Sequence, residues 1–225
     1  MDMNYGIGAY TALEASRMVG MSQATLRRWL LGYQHDSKDE PALWQPQYEP
    51  DDDGVLLGFR DLVEARIVNA LRDRRIGLTT IRKCIELARA IVGDERPFST
   101  QQFRTDGKTI FLEITKNIDE PDFIDLRKSQ GVFKRVVEPS LQDLDFGPSG
   151  AERWWLNGKK TVVADPARSF GQPILADHGI STARIVEVVA GEGSVEQAAK
   201  VYEIKPRLIR DALAYEASLG ARKAA

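Results

Sequence analysis

The chain has 225 residues, 43% of them hydrophobic and 28% charged, with a formal net charge of −2. That length and apolar share support one large domain or two to three small ones with a real core, and a charge balance so close to zero argues against indiscriminate coating of nucleic acid. No run is long and apolar enough for a membrane span, and the N-terminus lacks the basic and apolar blocks of a secretion signal, so no membrane contact and a cytoplasmic location are expected. The one cysteine, Cys84, excludes an internal disulfide; spaced helically with Ile81, Ile85 and Ala88, it reads as a buried apolar group. Lysine and arginine gather in residues 17–28 and 60–89, whereas residues 36–53 are strongly acidic. One face can therefore be positive although the sum is not.

Residues 11–31, TALEASRMVGMSQATLRRWLL, predict two short helices around a glycine turn. Thr11 and Ser22 can cap them, since a side-chain oxygen there satisfies an amide that the first turn leaves unpaired, and Gly20 can enter left-handed geometry at little cost. On the second helix Leu26, Trp29 and Leu30 fall on one side and leave Gln23, Thr25, Arg27 and Arg28 outward. That outward set suits a helix lying in a major groove: arginine forks match guanine edges or phosphates, and glutamine matches adenine. Arg17 and Arg60 are added as flanking DNA contacts. A plain helical hairpin with a solvated basic face would carry the same residues.

The next stretch, residues 32–53, holds Pro41, Pro46 and Pro50 and predicts a loop. Residues 42–44 and 55–59 flank it and are expected to pair as a two-stranded wing. Residues 60–93 predict two helices broken at Gly77, capped by Thr79 or Thr80, with Leu62, Ile67, Leu71, Ile81, Ile85 and Leu87 inward and Arg72, Arg74, Arg75 and Arg82 outward. YTALEASRMVGMSQATLRRW, a wing, then GFRDLVEARIVNALRDRRIGLTTIRKCIE resembles the winged helix-turn-helix DNA-binding domain of the MerR superfamily over roughly the first ninety residues. Two features of that superfamily are missing, the long heptad helix for dimerisation and a cysteine cluster for metal, so effector sensing is not expected.

Further along, residues 98–103 and 108–114 predict strands around the Asp106-Gly107 turn. Val132, Phe133, Val136 and Val137 recur at helical spacing up to Pro139, which must end or kink that helix. RWWLNGKKTVV, residues 153–163, predicts a hairpin around Asn157-Gly158, with Trp154 and Trp155 in a core or interface.

The last sixty residues predict a helical module. Ser181 and Ser194 can cap helices, Gln197 completes a capping box, and Pro206 fits an early helical turn. Ala198, Ala199 and Tyr202 face Ile209, Ala212 and Leu213. The G-x-P opening at residues 171–173, the I-x-T start at 180–182 and the closing A-L-x-Y at 212–215 are similar to the family known as domain of unknown function 433. Members of that family are commonly antitoxins paired with small PIN-like ribonuclease toxins, and the two resemblances together resemble a VapB-type antitoxin. The resemblance implies a toxin partner. Apolar residues beyond what so small a module can bury nominate Ile185, Val189, Tyr202, Ile209 and Leu213 as its contact surface.

The sequence carries no catalytic or metal signal. Residues 49–54 imitate an EF-hand opening, yet Arg60 stands where the bidentate glutamate belongs. Gly6 and Gly8 lack the strand and third glycine of a dinucleotide site. His35 and His178 have no partner at ligand spacing, and Asp143 and Asp145 sit in a turn-like segment. No enzyme, metal or cofactor is expected. The expectation is therefore a mainly α protein with small β-hairpins (α+β), divided as a winged helix-turn-helix domain over 1–95, a mixed central region over 96–164 and a helical antitoxin-family module over 165–225. Its expected function is a DNA-binding antitoxin that represses its own operon, acting as a homodimer on a two-fold related operator. A free-standing repressor without a toxin, or a scaffold whose helix pairs bind only protein, are the alternatives.

Overall fold

In the computed structural model, residues 7–35, 38–51, 54–116 and 133–222 are described. The fold is α+β, as the pattern of residues predicts. A two-residue strand β1 (Tyr10–Thr11) leads into α1 (Ala12–Val19) and α2 (Gln23–Leu31). A hairpin of β2 (Tyr33–His35) and β3 (Lys38–Glu40) follows directly, and β4 (Leu56–Leu57) returns to pair antiparallel with β1. Two longer helices, α3 (Phe59–Arg72) and α4 (Leu78–Val92), then stack on the first pair, followed by α5 (Gln101–Lys116).

The wing differs from expectation. Residues 42–44 do not pair with 55–59, because Leu43 and Trp44 are needed as core plugs and β4 closes against β1 instead. The hairpin lies earlier, at the end of α2. Residues 98–114 are also not a hairpin. Phe103, Ile110, Phe111 and Ile114 are all buried along α5, and this helical stripe of burial overrides the local turn preference of Asp106-Gly107. Gly77 itself caps α4 without a side-chain bond, and Thr80 is buried inside the helix instead of capping it.

A π-helical stretch, Phe133–Val137, runs straight into α6 (Glu138–Gln142), and Pro139 sits in the first turn of α6, where its missing amide is harmless. Val132 lies outside the described residues. Four antiparallel strands come next in simple order: β5 (Leu144–Gly147), β6 (Gly150–Trp155), β7 (Val162–Ala164) and β8 (Ile174–Leu175). The pairing of Trp154 with Ala164 and Trp155 with Val163 realises the hairpin predicted around Asn157-Gly158. The chain ends with α7 (Thr182–Glu192), α8 (Val195–Val201) and α9 (Pro206–Arg222).

Buried side chains form two clusters. One runs from Tyr10 to Ala164 and so joins the first four helices to α5, α6 and the sheet; the other is built by α7 to α9 with Val162 and Leu175. The sheet is the seam, since Val162 of β7 belongs to one cluster and Ala164 to the other, and Leu156 packs on both. The two parts are also laced near the N-terminus: the Ala9 amide donates to the Phe170 carbonyl at 2.9 Å, and the Gln172 side-chain amide donates to Glu14 Oε1 at 3.1 Å. The Tyr10 hydroxyl donates to the Gly171 carbonyl at 2.9 Å, and this approach requires glycine, because a Cβ at 171 would lie 2.2 Å from that hydroxyl.

A fully buried carboxylate, Glu64, accepts the Ser99 amide at 2.9 Å and so pins the segment before α5 to α3. Burial pushes its pKa up from 4.5 to about 8, against the pull of the Ser99 amide and Arg60. The folded state then binds more protons than the unfolded chain between those two values, so stability falls as pH rises through the window. Glu64→Gln keeps the acceptor for Ser99 and removes the charge. Urea denaturation at pH 5 and pH 8 should show the variant gaining on the wild type by about 1–4 kcal/mol across that range. An unchanged difference between the two pH values would mean that Glu64 ionises in the folded protein as freely as in the unfolded chain.

Candidate nucleic-acid interface and partner surface

The geometry of α1 and α2 begins with their caps. Thr11 and Glu14 form a reciprocal capping box: the Glu14 amide donates to Thr11 Oγ1 at 3.2 Å and the Thr11 amide donates to Glu14 Oε2 at 2.8 Å. Gly20 ends α1 in left-handed geometry, with φ of 81°, and the Gly20 and Met21 amides both close on the Ser16 carbonyl. Ser22 starts α2 by accepting the Thr25 amide at 3.1 Å. Leu26, Trp29 and Leu30 are buried beneath it, which fixes the rotation of the helix and turns Gln23, Arg27 and Arg28 to solvent. The exposed side therefore presents an amide and two guanidinium forks on a capped, well-anchored helix.

Not every nominated residue joins them. Thr25 is half-buried and its hydroxyl accepts from Ser22, so it serves the start of the helix. Arg17 is half-buried on the last turn of α1. Arg60 departs from the expectation most: Nε donates to Ser99 Oγ at 2.8 Å, and Nη2 meets Asp94 at 2.7 Å and the Arg96 carbonyl at 2.9 Å. Nε and Nη2 are engaged within the protein, which holds Arg60 back from the exposed face. Arg82 is likewise occupied, tethering the hairpin to α4 through Glu40 and the Pro41 carbonyl. Arg72, Arg74 and Arg75 stay exposed at the α3–α4 turn, where Arg72 also donates to the Ile76 carbonyl.

Two further groups matter that residue patterns did not single out. Arg28 lies over the ring of Tyr33, with 5.7 Å from the guanidinium carbon to the centroid. Asp61, with no exposed surface, gathers the Trp44 indole at 3.2 Å, the Gln47 amide at 2.7 Å, the Gly58 amide at 2.9 Å and Arg96 Nε at 2.5 Å. This hub ties the proline-rich loop, the start of α3 and the segment after α4 into one platform behind the two short helices. A tryptophan followed by an aspartate seventeen positions later carries no recognised spacing, so nothing in the sequence marks the hub.

In the C-terminal part Ser181 and Ser194 cap their helices as expected, accepting the Arg184 and Gln197 amides, but the capping box expected at Ser194 is only half formed, since the Gln197 side chain makes no return bond to the Ser194 backbone. Ile185 and Ile209 are fully buried within this part's own core and hold it together, which takes them off the expected contact surface. Val189, Tyr202 and Leu213 are half-buried, and Val186 and Val201 are exposed at 38% and 56%. Asp211 docks α9 on the sheet by receiving Lys159 at 2.5 Å and the Thr161 hydroxyl at 3.1 Å. The Trp155 indole donates to Asp145, and Arg66 lies 4.6 Å from the Trp154 ring, so both tryptophans are engaged by protein groups.

Among the described residues no group of three or more His, Cys, Asp and Glu is placed to hold a metal, and no helix is long and apolar enough to cross a membrane. Burial pushes the Cys84 thiol up to about 12, which keeps it an unreactive core group.

This chain places a capped, exposed basic helix at its N-terminal end and joins it through a small sheet to three C-terminal helices. Residues 162–215 match the family model "Protein of unknown function (DUF433)". The chain is 28% identical to a Mycobacterium tuberculosis protein provisionally named antitoxin VapB45, over 95% of each chain. It is also 25% identical to the uncharacterised protein Rv2308 of the same organism, covering 92% of this chain and 89% of the other. Among solved structures, the crystal structure of Rv2018 from M. tuberculosis is similar with a TM-score of 0.70 and 25% identity, over 94% of this chain and 100% of that one. The likeness is thus to whole proteins, and the DUF433 region is its C-terminal part.

Proposed function

We propose that this protein is the antitoxin of a toxin-antitoxin pair, which reads DNA with α2 and represses its own operon. The observation that carries the DNA half is the outward set of Gln23, Arg27 and Arg28 over the buried Leu26, Trp29 and Leu30. Such a helix can enter a major groove with its forks toward base edges, while the hairpin of residues 33–35 and 38–40 follows it directly. Because one helix covers only a few base pairs, a homodimer on an inverted repeat is the expected binding unit. The likeness to a MerR-type winged domain belongs to this reading, as does a regulatory role without catalysis.

The antitoxin half rests on the provisionally named relative and on the DUF433 match, and its partner would be a small PIN-like ribonuclease. The apolar groups left open on the C-terminal part, Val186 and Val201 with the half-buried Val189, Tyr202 and Leu213, are the surface proposed for that partner. Co-expression with the neighbouring gene tests it. The wild type should co-purify with that gene's product and restore growth, whereas Val186→Asp with Val201→Asp should lose both while keeping its helical circular dichroism. Rescue undiminished in the folded double variant would move the partner surface elsewhere. A neighbouring product without toxicity would favour a free-standing repressor.

A further inference from the structure

The geometry points to Tyr33 as a positioning residue for Arg28, and hence as a determinant of sequence discrimination; this rests on α2 being the DNA-reading helix. Gly32 ends α2 with φ of 73°, and a Cβ there would lie 2.6 Å from the Glu40 carbonyl oxygen. Only glycine lets the β2–β3 hairpin fold back so closely on the end of the helix. That return brings the Tyr33 ring to 5.7 Å from the Arg28 guanidinium carbon, inside cation–π range.

The form of this contact matters more than its strength. An exposed arginine on a helix is free about several single bonds and must be ordered before it can make a fork to guanine. A carboxylate partner would order it at the expense of its in-plane N–H groups, as has happened to Arg60 with Asp94 and Ser99. An aromatic ring engages the flat face of a guanidinium instead and leaves the edge donors available. Tyr33 therefore narrows the positions of Arg28 without consuming what a base edge needs. A groove contact depending on that order weakens when the ring goes, while the number of phosphate contacts stays the same.

The test uses the full chain with a duplex from its own upstream region and a shuffled duplex of equal length and composition. Tyr33→Ala should lower the ratio of specific to non-specific affinity about two- to five-fold, the range expected of an exposed cation–π contact. The non-specific affinity and its salt slope should not change, because no phosphate contact is lost. Tyr33→Phe should restore the ratio. In an Arg28→Ala background, Tyr33→Ala should add nothing further. Equal discrimination by Tyr33→Ala and wild type, a Tyr33→Phe as poor as Tyr33→Ala, or additive losses in the double variant would each overturn the assignment. If Arg28→Ala loses discrimination but Tyr33→Ala keeps it, the positioning role alone fails; if the wild type does not distinguish the two duplexes, the reading of α2 fails and the Tyr33 role with it.

Discussion

Asp61→Ala should destabilise the protein by about 3–5 kcal/mol, the cost of removing one partner from a buried ion pair. Asp61 has no exposed surface, and four donors converge on it: Arg96 Nε, the Trp44 indole and the amides of Gln47 and Gly58. Alanine would leave a guanidinium and three N–H groups without their shared acceptor in a buried site. Arg96 has the Gln45 carbonyl as a second partner and lies partly at the surface, which places the cost within that range and not above it. Asp61→Asn, which retains an acceptor but loses the charge and one acceptor oxygen, should fall between alanine and the wild type. Urea denaturation followed by circular dichroism measures both. A loss below about 1 kcal/mol for alanine would mean that water replaces the carboxylate at the hub.

Replacing Arg27 and Arg28 together with alanine should cost about 1–3 kcal/mol of specific binding for each arginine that meets a base edge, with stability nearly unchanged. Both side chains are exposed, so their removal leaves neither cavity nor buried orphan, whereas Leu26, Trp29 and Leu30 beneath them stay packed. One discrimination of that size is roughly a five- to 150-fold change in affinity, and two neighbouring losses need not add. If either arginine contacts phosphate instead, its share will appear equally on unrelated DNA and in a shallower salt slope. Titration of an operator duplex at two salt concentrations separates those cases, with melting curves run on the same samples. Unaltered operator affinity in the folded double variant would take the reader function away from α2.

The parts that local chemistry decides were legible in the sequence. Thr11, Gly20, Ser22, Ser181, Ser194 and Pro206 sit at helix boundaries because each relieves an unpaired amide or a steric conflict within a few residues of itself. The inward set on α2 and the exposure of Gln23, Arg27 and Arg28 follow from helical spacing alone. Long-range choices were not legible. Asp106-Gly107 carries a turn signal that the stripe from Phe103 to Ile114 outweighs once α4 and the sheet supply a surface to bury it. Val55 and Leu57 look like strand partners for residues 42–44, but β4 closes on β1 and the hairpin forms instead from the polar residues 33–35 and 38–40. Arg60 reads as a surface cation until Ser99 and Asp94, more than thirty positions away, claim its donors. Ile185 and Ile209 read as surplus apolar groups because Val162 and Leu175, which help cover the same core, come from a sheet whose edge the helical pattern does not reveal.

The most direct test of the central claim is a footprint of the full-length protein on the DNA upstream of its own gene, at physiological salt, beside the Arg27→Ala, Arg28→Ala variant. A DNA-reading homodimer should protect an inverted repeat with half-site centres about one helical turn or a multiple of it apart, and the variant should lose that protection at matched concentration. Protection of an unrelated duplex at the same concentration, or an identical footprint from the folded variant, would contradict it.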